Sequence, residues 1–204
     1  FGMSWPIVPE LLAFTNPEMV SLLKHSPQNH HLRELRAKFQ IQPVNEVWII
    51  TTEGTRDRMK LSQWFHGLSD QNLTWRTFVA KGVEDLSTAQ ECEWMSDLVY
   101  RVVLMAHTEK GNQGKVYLSL AGGRKTMSAD MQQAAYVLGC DALFHIAAPP
   151  KPATPLDGNN VSALYDPLNA DVAATISPII ISGHLEPAPF LYVQPRIDHN
   201  SFPM

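Results

Sequence analysis

The chain reads as an α/β fold: a mainly parallel sheet with helices on both faces and a small C-terminal β extension. Three observations predict it. Residues 46–52, 74–80, 115–120 and 142–147 are short runs rich in apolar, β-branched and aromatic side chains. They lack the strict apolar–polar alternation of a half-exposed strand, so they read as strands covered on both faces. Stretches with apolar residues at helical spacing separate them, and this strand–helix alternation is the signature of parallel neighbours joined by crossovers. Such doubly wound, Rossmann-like sheets bind ligands beyond the carboxyl ends of their strands.

Each element has a local reason. Residues 6–14 carry Ile7, Val8, Leu11, Leu12 and Phe14 at helical spacing after a proline entry. Asn16-Pro17-Glu18 predicts an N-cap, an N1 proline and an acidic first turn for a short helix ending near Leu23. Residues 24–29 read as loop, and 30–40 as an amphipathic helix with Leu32, Leu35 and Phe39 on one side. Glu53-Gly54-Thr55 predicts a turn into a helix over residues 56–67, and residues 87–107 a long helix with Leu98, Val102 and Met105 along its apolar stripe. After Pro149 the composition turns proline-rich, and residues 176–182 and 190–193 read as a hairpin that extends the sheet or packs on a neighbour. The predicted division is therefore a domain over residues 1–148 and a proline-rich loop with its β extension over 149–204. Phe1-Gly2-Met3-Ser4 reads as the end of a strand entering a loop, which places most of a first strand upstream of Phe1.

Composition narrows the function. A formal net charge of −4 argues against an extended basic face, so DNA is not expected as a partner. Cys92 and Cys140, far apart in apolar settings, read as reduced core residues of a cytoplasmic protein. No apolar run is long enough to cross a bilayer. His30 and His31 are adjacent on a predicted helix and cannot share a face, so no metal is expected. The glycines spell neither a Walker A loop nor a dinucleotide fingerprint, and no cofactor is expected. Met59, Met95, Met105, Met127 and Met131 fall on apolar helix faces and read as core.

The segment Val116-Tyr117-Leu118-Ser119-Leu120-Ala121-Gly122-Gly123-Arg124-Lys125-Thr126-Met127 carries the chemistry. A strand runs into two glycines, then two cations, then a helix starting near Thr126. Gly122 and Gly123 allow a tight turn and close approach of backbone to a ligand. The helix start aims free N–H groups and its positive dipole end at the same spot. Arg124 offers a planar fork for phosphate, and Lys125 a mobile point charge. The pattern predicts a pocket for a phosphate-bearing ligand, with the loops at 2–5, 52–55 and 122–125 lying together.

These loops resemble those of CRISPR-associated Rossmann-fold (CARF) domains. Residues 1–10 (Phe-Gly-Met-Ser-Trp-Pro-Ile-Val-Pro-Glu) are similar to the loop after the first strand, and 46–55 to the second strand and its turn. Residues 119–127 resemble the glycine-glycine-arginine-lysine signature of the ring-nuclease branch, and the matches together span residues 1 to 147. The resemblance implies a homodimeric sensor of cyclic oligoadenylate in a type III CRISPR system. Cyclic tetraadenylate is favoured, with cyclic hexaadenylate the alternative, and the ring sits on the two-fold axis. It implies that Gly2, Met3, Ser4 and Trp5 line the pocket and that Thr52 and Glu53 form its rim. Gly122, Gly123, Arg124, Lys125 and Thr126 would contact phosphate and ribose. It implies a fused or associated effector as a further partner. Two readings of the chemistry stay open: binding alone, or slow metal-independent cleavage of the ring, with Lys125 catalytic and Arg124 and Ser4 positioning. Two other classes also remain: a Rossmann-like enzyme acting on a nucleotide or sugar phosphate, and a regulatory domain cut from a larger effector. Arg101 and His107 match the spacing of an arginine–histidine ribonuclease pair, but the chain has no room for the helical domain that such a pair requires.

Overall fold

The computed structural model describes residues 7–20, 23, 28–56, 73–111, 113–146 and 179–188. Helices and strands alternate as α1 (Ile7–Thr15), α2 (Asn29–Lys38), β1 (Glu46–Thr52), α3 (Glu53–Arg56), β2 (Thr74–Ala80), α4 (Ala89–Glu109), β3 (Tyr117–Ser119), α5 (Lys125–Leu138), β4 (Ala142–Ile146) and β5 (Ile179–Ser182). The chain is an α/β protein. β1 pairs with β2 in parallel, β3 with β4 in parallel, and β4 with β5 antiparallel. The expected C-terminal extension is thus present as β5. The second arm expected at 190–193, and most of the helix expected at 56–67, lie outside the described residues.

Among the described residues the strands form two small sheets, not one: β1-β2 and β3-β4-β5. The two sheets nevertheless feed the same pair of cores. Val47 and Ile49 of β1, Tyr117 of β3 and Ala142, Phe144 and Ile146 of β4 pack with α1 and α2. Trp48 and Ile50 of β1, Leu118 of β3 and Leu143 of β4 pack with α4 and α5. Alternate residues along each strand therefore enter opposite cores, the two-sided burial that apolar strands predict. Phe144 sits edge-on to Phe14 at 5.8 Å between ring centroids, anchoring α1 to β4.

Three expectations are corrected. Residues 17–19 form a turn where a helix from Asn16 was expected, and residues 21 and 22 of that expected helix lie outside the described residues. The Asn16 side chain is used across the chain instead of as a cap: Nδ2 donates to the Val44 carbonyl at 2.7 Å and Oδ1 accepts from the Val44 N–H at 3.0 Å. The buried stripe of α4 is Met95, Val99, Val102 and Val103, with Leu98 only partly covered, so the helix is rotated from the stripe expected through Leu98 and Met105. α3 begins at Glu53, inside the expected turn.

α4 starts at a capping box. The Thr88 hydroxyl accepts from the Glu91 N–H, and the Glu91 carboxylate accepts from the Thr88 N–H at 3.0 Å and the Ser87 N–H at 2.8 Å. The Ser87 hydroxyl and the Glu84 and Ser87 N–H groups, all donating to it, pull the Glu91 carboxyl down to about 2. Glu10, in the first turn of α1, is 5% exposed, and burial pushes its carboxyl up to about 8.

Candidate phosphate-binding bend at the sheet's carboxyl end

β3 delivers the chain to the bend. Leu120 N–H donates to the Phe144 carbonyl at 2.8 Å, extending the ladder one residue past the strand, and Ala121 N–H donates to Ser119 Oγ at 3.2 Å. Gly122 and Gly123 then take φ of 82° and 99°, left-handed conformations that side chains rarely adopt. α5 follows at once. Ser128 Oγ in its first turn donates back to the Leu120 carbonyl at 2.8 Å, tying strand end to helix start. Arg124 occupies the cap position with an extended backbone and offers the first turn no side-chain acceptor. Lys125 and Thr126 are exposed on that turn, beside the positive end of a 14-residue helix.

The cations are not equivalent. Arg124 is bidentate to Asp85: Nε donates to Oδ1 at 3.1 Å and Nη2 contacts Oδ2. The side chains are 60% and 59% exposed, so water and salt weaken the pair, although it raises the guanidinium pKa further. Among the described residues no ion pair or hydrogen bond engages the Lys125 ammonium.

The end of β1 is built differently. Thr51 and Thr52 are 0% and 4% exposed, and both hydroxyls bond the Thr55 hydroxyl, at 2.6 and 2.8 Å. Glu53 N–H donates to the Val83 carbonyl at 2.8 Å, and Glu53 Oε2 accepts from the Gly82 N–H at 2.8 Å. A Cβ on Gly54 would lie 2.4 Å from the Glu84 carbonyl oxygen, so only glycine fits there. The segment after β2, residues 81–88, therefore bridges the two junctions. It holds Glu53 with one part and Arg124 with another, which sets the carboxyl ends of β1, β2 and β3 on one side of the molecule.

The sequence model of the family described as CRISPR-associated protein NE0113 matches residues 31–159, well over half of the chain. The chain belongs to that family. It is a CRISPR-associated protein, and the match includes β1 to β4, the bridge at 81–88 and the whole diglycine bend. No curated protein matches it.

For this CRISPR-associated chain, the structure brings Thr52, Glu53, Gly122, Gly123, Arg124, Lys125 and Thr126 to one end of the strands. Thr52 is buried, and one Glu53 carboxylate oxygen accepts from the Gly82 N–H. Gly2, Met3, Ser4 and Trp5 lie outside the described residues. Sequence reasoning missed Asp85, which faces Arg124 across 39 positions. The available signal was topological: a loop that follows a parallel strand must emerge on the same side as the other carboxyl ends. It also missed Ser119 and Ser128, the two hydroxyls that frame the bend.

The other constellations found different uses. Arg101 pairs with Asp97 at 2.7 Å on an exposed face, whereas His107 Nε2 bonds the Gly139 carbonyl at 3.0 Å, and burial lowers its pKa. The two side chains do not form a joint site. His30 meets Glu34 at 3.6 Å on the surface of α2. Cys140 is buried, and its thiol is pushed up to about 11. No cluster of metal-ligating side chains occurs among the described residues, and no helix among them is long and apolar enough to cross a membrane.

Proposed function

We propose that this CRISPR-associated chain senses cyclic oligoadenylate as a CARF-type homodimer, cyclic tetraadenylate being the favoured ring. The observation that supports this most is the diglycine bend. Two left-handed residues deliver Arg124, Lys125 and the N-terminus of α5 together at the carboxyl end of the strands. Backbone donors, a helix dipole and a guanidinium fork at one point suit a phosphodiester. A ring of identical nucleotides is symmetric, and so is an isologous dimer, which would double the cations facing one small anion. Asp85 occupies the Arg124 fork when no ligand is bound, and a phosphate oxygen pair replaces it.

Slow cleavage of the ring is the second reading, favoured by the exposed Lys125 ammonium beside the helix start. A ribose 2′-hydroxyl attacks the adjacent phosphorus and gives up its proton, the bond to the 5′-oxygen breaks and that oxygen takes up a proton, and the products are a 2′,3′-cyclic phosphate and a 5′-hydroxyl. Lys125 would stabilise the charge that develops on the phosphoryl oxygens.

The test titrates cyclic tetra- and hexaadenylate against AMP and NAD and follows thermal stability. A ligand at about a hundredfold excess over its Kd should add about 2.7 kcal/mol. A response to AMP or NAD alone would overturn the sensor reading. Incubation with cyclic tetraadenylate for hours, with and without Lys125→Ala, separates cleavage from binding: intact ring in both samples leaves binding alone.

A further inference from the structure

The described residues leave three large apolar side chains at the surface: Trp94, Leu104 and Tyr136, at 51%, 56% and 53% exposure. All three lie on α4 and α5, the helices that share one of the two cores. Ser96 Oγ donates to Asp130 at 3.1 Å, and His107 bonds the Gly139 carbonyl at 3.0 Å. These contacts run α4 and α5 side by side in the same direction, and they set Tyr136 level with Leu104. Single exposed apolar residues are ordinary, but here two fall on one line with a pair of opposite charges between them.

α4 turns Met95, Val99, Val102 and Val103 into the core. On its opposite side Gln90, Trp94, Asp97, Arg101, Leu104 and Thr108 are all exposed. Their spacing alternates between four and three residues, so they form one stripe along the helix. The stripe reads alike from either end. About Val99, Trp94 mirrors Leu104, Asp97 mirrors Arg101 and Gln90 mirrors Thr108. A second copy laid antiparallel across it sets apolar against apolar and acid against base. A copy laid parallel would set each charge against its own kind. Within one copy Asp97 and Arg101 pair on an exposed face, so both keep a side open to a second counter-ion.

We propose that the exposed stripe of α4 is a self-complementary interface, on which two copies of this chain pair antiparallel about a two-fold axis beside Val99. Trp94 of each copy packs on Leu104 of the other, with Tyr136 flanking it, and the two Asp97–Arg101 pairs join into a ring of alternating charge. The inference does not rest on the sensor reading. α4 has 21 residues and is about 32 Å long, and its start adjoins the bridge at 81–88. An axis crossing its middle sends the two diglycine bends to opposite ends of the pair. A ring shared by two bends needs a different axis, so the α4 contact is a second surface, and a chain that used both would assemble beyond a dimer. One helix face is small beside a standard interface, so the association is reversible and depends on concentration.

The test is sedimentation of the 204-residue chain without ligand, over about a hundredfold range of concentration. The reading is whether the mass doubles with concentration, from whatever species is present at the dilute end. The unsubstituted chain should show that doubling. Asp97→Arg and Arg101→Asp should each weaken it by at least about tenfold, because each puts like charges opposite one another. An equimolar mixture of the two should restore it, since each variant then meets its opposite, and restoration shows that both are folded. Leu104→Glu should abolish it in every combination. No doubling in the unsubstituted chain would overturn the proposal. So would doubling that survives both charge substitutions, or a mixture that stays apart. Cyclic tetraadenylate should change the Tm of Asp97→Arg as much as that of the unsubstituted chain, so this interface and the ring site fail separately. A smaller change would overturn their independence.

Discussion

The two strand-to-helix junctions at the carboxyl ends of β1 and β3 make opposite use of their polar groups. At the end of β1, three threonine hydroxyls bond one another and the Glu53 carboxylate bonds a backbone N–H. The hydroxyls and one carboxylate oxygen are turned into the turn itself. At the end of β3 the turn is made by two glycines with left-handed backbones, framed by the Ser119 and Ser128 hydroxyls. Of the cations that follow, Arg124 is exposed but paired with Asp85, and Lys125 faces outward. The difference teaches where to look for function: a junction whose polar side chains turn inward is structural, while one that keeps its cations on the surface has charge to offer a ligand.

Five perturbations would break or sharpen that contrast. The largest effect belongs to the cations. Arg124→Ala with Lys125→Ala should weaken binding of cyclic tetraadenylate by about 100-fold or more, measured by calorimetry, with little change in Tm. Glu10→Gln separates fold stability from the ligand site. Its carboxyl stays protonated in the folded chain up to about pH 8, whereas its ordinary value is 4.5. The folded state therefore binds the extra proton, and stability should fall as pH rises from 4.5 to 8, by at most about 1.4 kcal/mol per pH unit. Glu10→Gln should flatten that decline and raise the Tm at pH 8, and an unchanged profile would remove Glu10 as its source. Thr55→Val leaves the buried Thr51 and Thr52 hydroxyls without their shared partner. Denaturant unfolding should show a loss of about 1–3 kcal/mol with ligand affinity unchanged. Gly122→Ala forces a side chain into a left-handed position at a cost of about 1–2 kcal/mol, and it should lower affinity as well because it displaces the cations. Asp85→Asn is the smallest and has the opposite sign. Freeing the Arg124 fork should tighten binding by about two- to fivefold at low salt, with the gain fading as salt rises.

Much of this was legible because it is local. β1 and β2 match their predicted bounds because β-branched runs end at clear turn signals. The tight turn expected at Gly122 and Gly123 is made with positive φ at both glycines. What failed depended on distant partners. Asn16 carries the local code of a helix cap, and only the proximity of Val44 turns it into a clamp. α4 is apolar on two adjacent stripes, and the one that became buried was decided by β1, β2 and α5, not by α4 alone. The counter-ion of Arg124 could not be read from the cation motif, because Asp85 reaches it only once the fold has brought the strand ends together.

The span that carries Asp85 has fixed feet. Val83 at one end is fully buried, and the Glu91 carboxylate grips Ser87 and Thr88 at the other. Between them Leu86 holds a left-handed backbone, φ 53°, which for such a residue costs about 1–2 kcal/mol. The arch is thus short, taut and sprung. If an anion binds as proposed, it would compete for the guanidinium with Asp85 on this short span alone.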